Sequence, residues 1–289
     1  VDVLALLLIA LIVILAIERA LAVDDRSIDG RDLEEWVRRL QSNRTEIRDS
    51  AIAAVRALAL RKRETLASEP LRSTELPEAD QRRNDALVRA AFAIAARLGD
   101  SDSLVREQAV PAVIEISAPS SHGGSAPHRD MLDVASIRIA VRRSAANVLQ
   151  IAATDQSQSG AILVSLEVLA TIGVPAEQLP LAARLAMEHP SAAIRELAAI
   201  VVLRTPRTAA AAAVLKDRVV LAATTDSSAD VRMAVIEEVL RDSSIACMSE
   251  DIRRRLRSLR EAPDNRMRAL IDGLDAAAAA SARNGRCSR

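Results

Sequence analysis

Apolar residues recur along most of this chain at positions i, i+4 and i+8, and the residue behind the first of them is arginine. Five stretches align on that pair: Ile47-Arg48, Val105-Arg106, Val141-Arg142, Ile194-Arg195 and Val231-Arg232. Four residues on stand Ala51, Ala109, Ala145, Ala198 and Val235; eight on stand Val55, Val113, Leu149, Val202 and Val239. That spacing puts three side chains on one face of a helix. The middle position is small in most copies, which lets a neighbouring helix come close. Five residues before each leading position stand Ser42, Asp100, Ser136, His189 and Asp226. Most of these are short oxygen-bearing side chains, the types that satisfy exposed N–H groups at or near a helix start.

The last two of these leading residues, Ile194 and Val231, are 37 apart, and a further pair, Met267-Arg268, follows 36 later. This is the period of a helical hairpin. A preceding helix is visible before the marked one: "RDLEEWVRRL", "DALVRAAFAIAARL", "EQLPLAARLAME" and "AAAAVLKDRVVLAA". About six pairs fit residues 28 to 281 if 130–153 pairs with 159–173. In that third pair the helix near Val141 carries the second-helix pattern in a first-helix place. The sixth copy loses the apolar stripe at Asp275. Two stretches rich in Pro, Ser, Gly and charge, 64–81 and 118–129, are expected as loop insertions, and 283–289 as a disordered tail.

The turn with Asp or Pro, the apolar-Arg pair and the alanines at fixed offsets resemble the HEAT repeat family in its short bacterial form. "HPSAAIRELAAIVVL" and "DSSADVRMAVIEEVL" carry the likeness most clearly. The resemblance implies an all-α fold: a right-handed α-solenoid over 24–282, whose second helices line a concave face, and a scaffold or adaptor that binds a protein partner there. It also admits a rival, since HEAT-like bacterial proteins include bilin lyases and DNA glycosylases. One hairpin buries three or four aliphatics per helix at roughly 1.5–3 kcal/mol each, while ordering its residues costs roughly 1–2 kcal/mol apiece. A single pair therefore does not fold alone, and stacking of successive pairs has to close the gap.

Residues 3–17, "VLALLLIALIVILAI", are apolar on every face. As a helix they reach roughly 22 Å, short of the roughly 30 Å hydrocarbon core, so a span draws in further residues through "ERALAV" or upstream. The expected reading is an N-terminal hydrophobic helix, residues 1–23, serving as a single-pass membrane anchor. Arg19, Arg26, Arg31, Arg38 and Arg39 follow it and only Asp2 precedes it, which places the body in the cytoplasm. The alternative is a signal peptide, because "ALA" at 20–22 fits a cleavage site; cleaved, it yields an exported solenoid.

Composition supports helices and limits chemistry. Half the residues are apolar, yet there is no Tyr, one Phe (Phe92) and one Trp (Trp36), so small aliphatics must fill the core. The 39 basic and 39 acidic residues cancel, removing the global positive field that attracts nucleic acid. Cys247 and Cys287 make no disulfide framework. His122 and His128 share a loop without further ligands, so no metal site, cofactor or small-molecule substrate is expected, and no nucleophile or phosphate-loop motif occurs. Two groups of cations are candidate partner contacts. Arg195 and Arg232 belong to the repeated row, which equally suits pairing with acids of the neighbouring unit. Arg253, Arg254 and Arg257 lie in "DIRRRLRSLREAPDNRMR", where seven Arg face three acids over 251–268, and they equally suit a solvated helix face.

Overall fold

A computed structural model describes residues 28–68, 78–118, 127–206, 210–241, 250–259 and 265–283. The described residues are helical with short turns between, and they contain no strand. The chain divides into two compact units, Val1–Ser144 and Ala145–Arg289.

The first unit opens with a tight turn. Asp29 and Gly30 both have positive φ (51° and 69°), and the amides of Ile28 and Arg31 each donate to the other's carbonyl at 3.0 Å. Two left-handed residues in succession are what such a turn requires, and glycine supplies one without steric cost. Helix α1, Leu33–Arg39, follows, with the Asp32 carboxylate accepting from the Glu35 amide. Trp36 is buried, donates through Nε1 to the Ile28 carbonyl (3.1 Å), and carries the guanidinium carbons of Arg31 and Arg39 at 5.4 and 5.3 Å from its ring centre. The one tryptophan thus closes the start of the helical body.

Helices α2 (Thr45–Ser68), α3 (Glu78–Ala96) and α4 (Ser103–Ser117) complete this unit with the first part of α5 (Pro127–Ala152). Helix α1 packs on α2 and α3, and α2 and α3 both pack on α4. Ser144 Oγ donates to the Phe92 carbonyl at 3.4 Å, joining α5 to α3.

The second unit holds α6 (Ser159–Ile172), α7 (Leu179–Glu188), α8 (Ala192–Arg204), α9 (Ala210–Ala223), α10 (Ala229–Arg241), α11 (Glu250–Ser258) and α12 (Asn265–Arg283). Helix α6 ends at Gly173 (φ 91°) with Pro175 behind it, and Pro180 sits in the first turn of α7, where its missing N–H is no loss. The packing alternates: α6, α8, α10 and α12 contact one another in sequence, as do α7, α9 and α11, while α8 also packs on α7 and α9.

The sequence columns are the core. Val105, Val141, Ile194 and Val231 are buried, as is every residue of the i+4 and i+8 columns. Ile47, leading the copy nearest the N-terminus, is only half-buried. In the last copy the stripe moves by one residue: Met267, Ile271 and Leu274 are buried, and Asp275 turns to pair with Arg257.

Four expectations need correction. Ser136 starts no helix, because α5 runs unbroken through it. The segment 64–81 is narrower as a loop than expected, since α2 continues to Ser68 and α3 begins at Glu78. Likewise 127–129 belong to α5, and α12 extends to Arg283. Glu64, Leu66, Ala67, Glu78, Ala79 and Gln81 are good helix formers, and adding a residue to a formed helix costs less than starting one, while Pro127 stands at the first position of α5, where its missing N–H is no loss. The remainders, 69–77, 119–126 and 284–289, lie outside the described residues, as does the expected anchor 1–23. No described helix is long and apolar enough to cross a membrane.

Candidate interaction surface and the arginine clips

Two recurring columns of the pattern, the turn residue and the arginine six behind it, are bonded to each other in four copies. Arg48 Nη1 donates to the Ser42 carbonyl (2.8 Å), Arg106 Nη1 to Asp100 (2.7 Å), Arg195 Nη1 to His189 (2.8 Å) and Arg232 Nη1 to Asp226 (2.5 Å). The turn side chain bends the same segment in each of these four copies. Ser42 Oγ, Asp100 Oδ1, His189 Nδ1 and Asp226 Oδ1 accept from the amide two residues on, at 3.2, 3.0, 3.1 and 2.8 Å. Such local bonds stabilise a turn and aim the following helix. In the best-formed case the helix cap itself comes next: Asp102 accepts from the Leu104 amide at the start of α4.

The other edge of the guanidinium reaches the next marked turn. Arg48 Nη2 donates to Asp100 Oδ1 at 2.8 Å, with side chains 9% and 4% exposed. Arg195 grips Asp226 with two bonds, Nε to Oδ2 at 2.7 Å and Nη2 to Oδ1 at 2.8 Å. Arg48 and Arg195 therefore each bind their own turn and its successor. A fork of parallel N–H groups fits a carboxylate in a way a lysine ammonium does not. The hydrogen bond from Arg195, then the Ser228 amide and the nearby positive charges of Arg195 and Arg232, hold Asp226 below its ordinary carboxylate pKa against the opposing effect of burial. The same bond to Asp226 holds the Arg195 pKa above its ordinary value.

A second set of cross-helix pairs escaped the sequence reading. Arg56 makes a bidentate contact with Glu115, joining α2 to α4. Arg204 donates Nε and Nη2 to Glu238 (3.2 and 2.8 Å) and Nη1 to the Ala170 carbonyl (3.2 Å), so α8 is tied to both α6 and α10. Arg241 also reaches Glu238, and Arg266 of α12 reaches Glu237 of α10 at 2.7 Å. A signal was available: Arg204 and Arg241 are 37 residues apart, the step of the repeat.

The candidate contact residues fall into two groups. Arg195 and Arg232 converge on Asp226, one on its carboxylate and one on its carbonyl. Arg195 is 12% exposed in its side chain and also donates to the Pro190 carbonyl. Arg253, Arg254 and Arg257 share α11. Arg253 is half-buried, Arg254 is 74% exposed and 3.4 Å from Asp251, and Arg257 Nε donates to Asp275 at 2.8 Å.

On the face of α8 and α10, Glu196 stands near Asp230 and Glu237, and burial, then those two negative charges, push its pKa up. Leu197, Ile200 and Met233 are half-buried on the same two helices, and Ala193, Ala229 and Asp230 are exposed. This arrangement offers a surface of apolar and acidic groups. Among the described residues no cluster of three or more His, Cys, Asp or Glu side chains is placed to hold a metal ion; His122, Cys247 and Cys287 lie outside those residues. No family model, no curated protein and no solved structure matches this chain.

Proposed function

We propose that the chain is a HEAT-like right-handed α-solenoid that acts as a non-enzymatic scaffold, anchored to a membrane by residues 1–23 with its helical body in the cytoplasm, and that it holds a protein partner on the face formed by its second helices. One observation carries this reading. Helices α6, α8, α10 and α12 pack in sequence, with α8 and α10 bracketed by the Arg195–Asp226 clip and the Arg204–Glu238 pair. A surface fixed before binding loses little conformational freedom on association. Arg195 and Arg232 support the partner from beneath, by holding the turns from which α8 and α10 depart.

The test places a photocrosslinking amino acid at Ala193 or Asp230, exposed on α8 and α10, and in parallel at Ala135, exposed on the first-helix α5. A partner captured from native membranes at the first two positions and not at the third, and lost with Asp230→Arg at unchanged helicity, supports the reading. Equal capture at all three positions refutes a defined face. Extraction of the full chain at alkaline pH examines the anchor separately: an integral protein stays with the lipid. A mature chain starting at Val23 refutes the anchor in favour of export.

A further inference from the structure

The opposite side of the second unit carries cations that the clips do not use. Helices α7, α9 and α11 pack side by side, and their outward positions differ in kind from those of the clip row. Arg184 on α7, Arg218 on α9 and Arg255 on α11 are exposed. None of the three guanidinium groups has a hydrogen-bond or ion-pair partner among the described residues. Arg254, 74% exposed beside Asp251, stands 36 residues after Arg218, the same step that separates Val231 from Met267. Two large apolar side chains stand exposed among these cations on α9: Val214 at 59% and Leu221 at 38%. They sit one turn before and one turn after Arg218, so the three share one stripe. Glu188 and Asp251 are exposed acids on this side.

From this juxtaposition we propose that the outward face of α7, α9 and α11 is a docking surface for an anionic lipid bilayer. Guanidinium groups with no acceptor among the described residues are complementary to lipid phosphate and carboxylate. The exposed valine and leucine gain by leaving water for the headgroup boundary, as the apolar stripe of an interfacial helix does. Nucleic acid would take the cations but has no use for the aliphatic pair, and this side carries no aromatic group on which a base could stack. An acidic protein would match the charge as well as lipid does; the apolar 3–17 stretch in the same chain tips the choice toward the bilayer. The inference rests on the proposed anchor to this extent: a chain already held at a membrane needs only a weak second contact, because tethering raises its effective concentration there.

The full chain is reconstituted into nanodiscs of phosphatidylcholine alone or with roughly a third phosphatidylserine, and arginine modification by phenylglyoxal is followed residue by residue with mass spectrometry. The expected result is slower modification of Arg218 and Arg255 with phosphatidylserine at low salt, by roughly five-fold, with the protection lost at high salt. Arg195, held by Asp226, serves as the internal control and does not change. Leu221→Asp, which leaves every cation in place, abolishes the protection at unchanged helicity. Equal modification in both lipids, with the chain still embedded, overturns the docking surface and leaves the anchor standing. A chain that never enters phosphatidylcholine discs, yet shows salt-sensitive protection on phosphatidylserine vesicles, overturns the anchor and keeps the surface. Protection by polyglutamate and none by phosphatidylserine overturns the lipid assignment in favour of an acidic protein.

Discussion

The two clips solve one problem across different lengths of chain. Arg48 and Asp100 are 52 residues apart and Arg195 and Asp226 only 31, chiefly because α2 and α3 are longer than α8 and α9. The contact at the end is nonetheless the same: an arginine just inside one helix, bonded to the carbonyl of its own turn and to the aspartate of a later one. What fixes the geometry is therefore the turn, two residues of local bonding before each helix, and not the length of chain between. The clips differ in degree. Arg48 is the more buried and makes one bond to its aspartate, with Thr45 Oγ1 and the Ser42 carbonyl nearby. Arg195 is less buried and bidentate.

That contrast ranks the expected damage. Removing one partner of a buried pair leaves the other charge uncompensated, a loss of about 3–5 kcal/mol. Asp100 keeps Arg97 at 3.6 Å and Asp226 keeps the positive charge of Arg232 nearby, so both variants are expected to fall short of the full loss, Arg48→Ala above Arg195→Ala because its pair is the more buried, measured by urea unfolding. Trp36 is the only tryptophan and lies in the first unit, so its emission separates the two. Arg48→Ala shifts the Trp36 transition, while Arg195→Ala shifts far-UV ellipticity with a smaller change at Trp36. Equal shifts of both signals by either variant would mean that the units unfold as one. Replacing both members, Arg195→Met with Asp226→Leu, is expected to recover about half of the single-variant loss, which distinguishes a costly orphaned charge from an indispensable attraction.

Smaller changes sharpen the comparison. Ala198 is fully buried where α8 meets its neighbours, and Ala198→Leu is expected to cost about 1–3 kcal/mol by overpacking, read as a lower thermal midpoint. Asp226 titrates below its ordinary value. The stability it contributes is complete above its unfolded pKa, about 3.9, and is lost as pH falls through its folded value. Asp226→Asn should therefore flatten the acid limb of the stability curve. Glu196 has the opposite sign: its raised pKa means that its ionisation opposes folding once pH exceeds the unfolded value. Glu196→Gln is expected to gain roughly 0.5 kcal/mol at neutral pH and nothing below about pH 4, as seen in a pH series of unfolding midpoints.

Local spacing determined a good deal. The i, i+4, i+8 columns identified the buried face of each marked helix, and α7 with α8 and α9 with α10 were legible as pairs, because helical periodicity and turn chemistry act over a few residues. Ser136 and Asp275 show where the same logic fails. A serine in the right column starts a helix only if the chain before it is not already helical, and a stripe can slide to Leu274 when an acid in its column, Asp275, is taken up by Arg257. The sequence could not decide what the repeated arginines do, since a guanidinium's role depends on which carboxylate comes within 3 Å. Asp100 and Asp226 are brought there by packing between helices distant in the chain. Tertiary structure alone assigned Arg48 and Arg195 to the interior and left Arg184, Arg218 and Arg255 facing water, because burial and pairing belong to the folded arrangement and have no local signature in residue type.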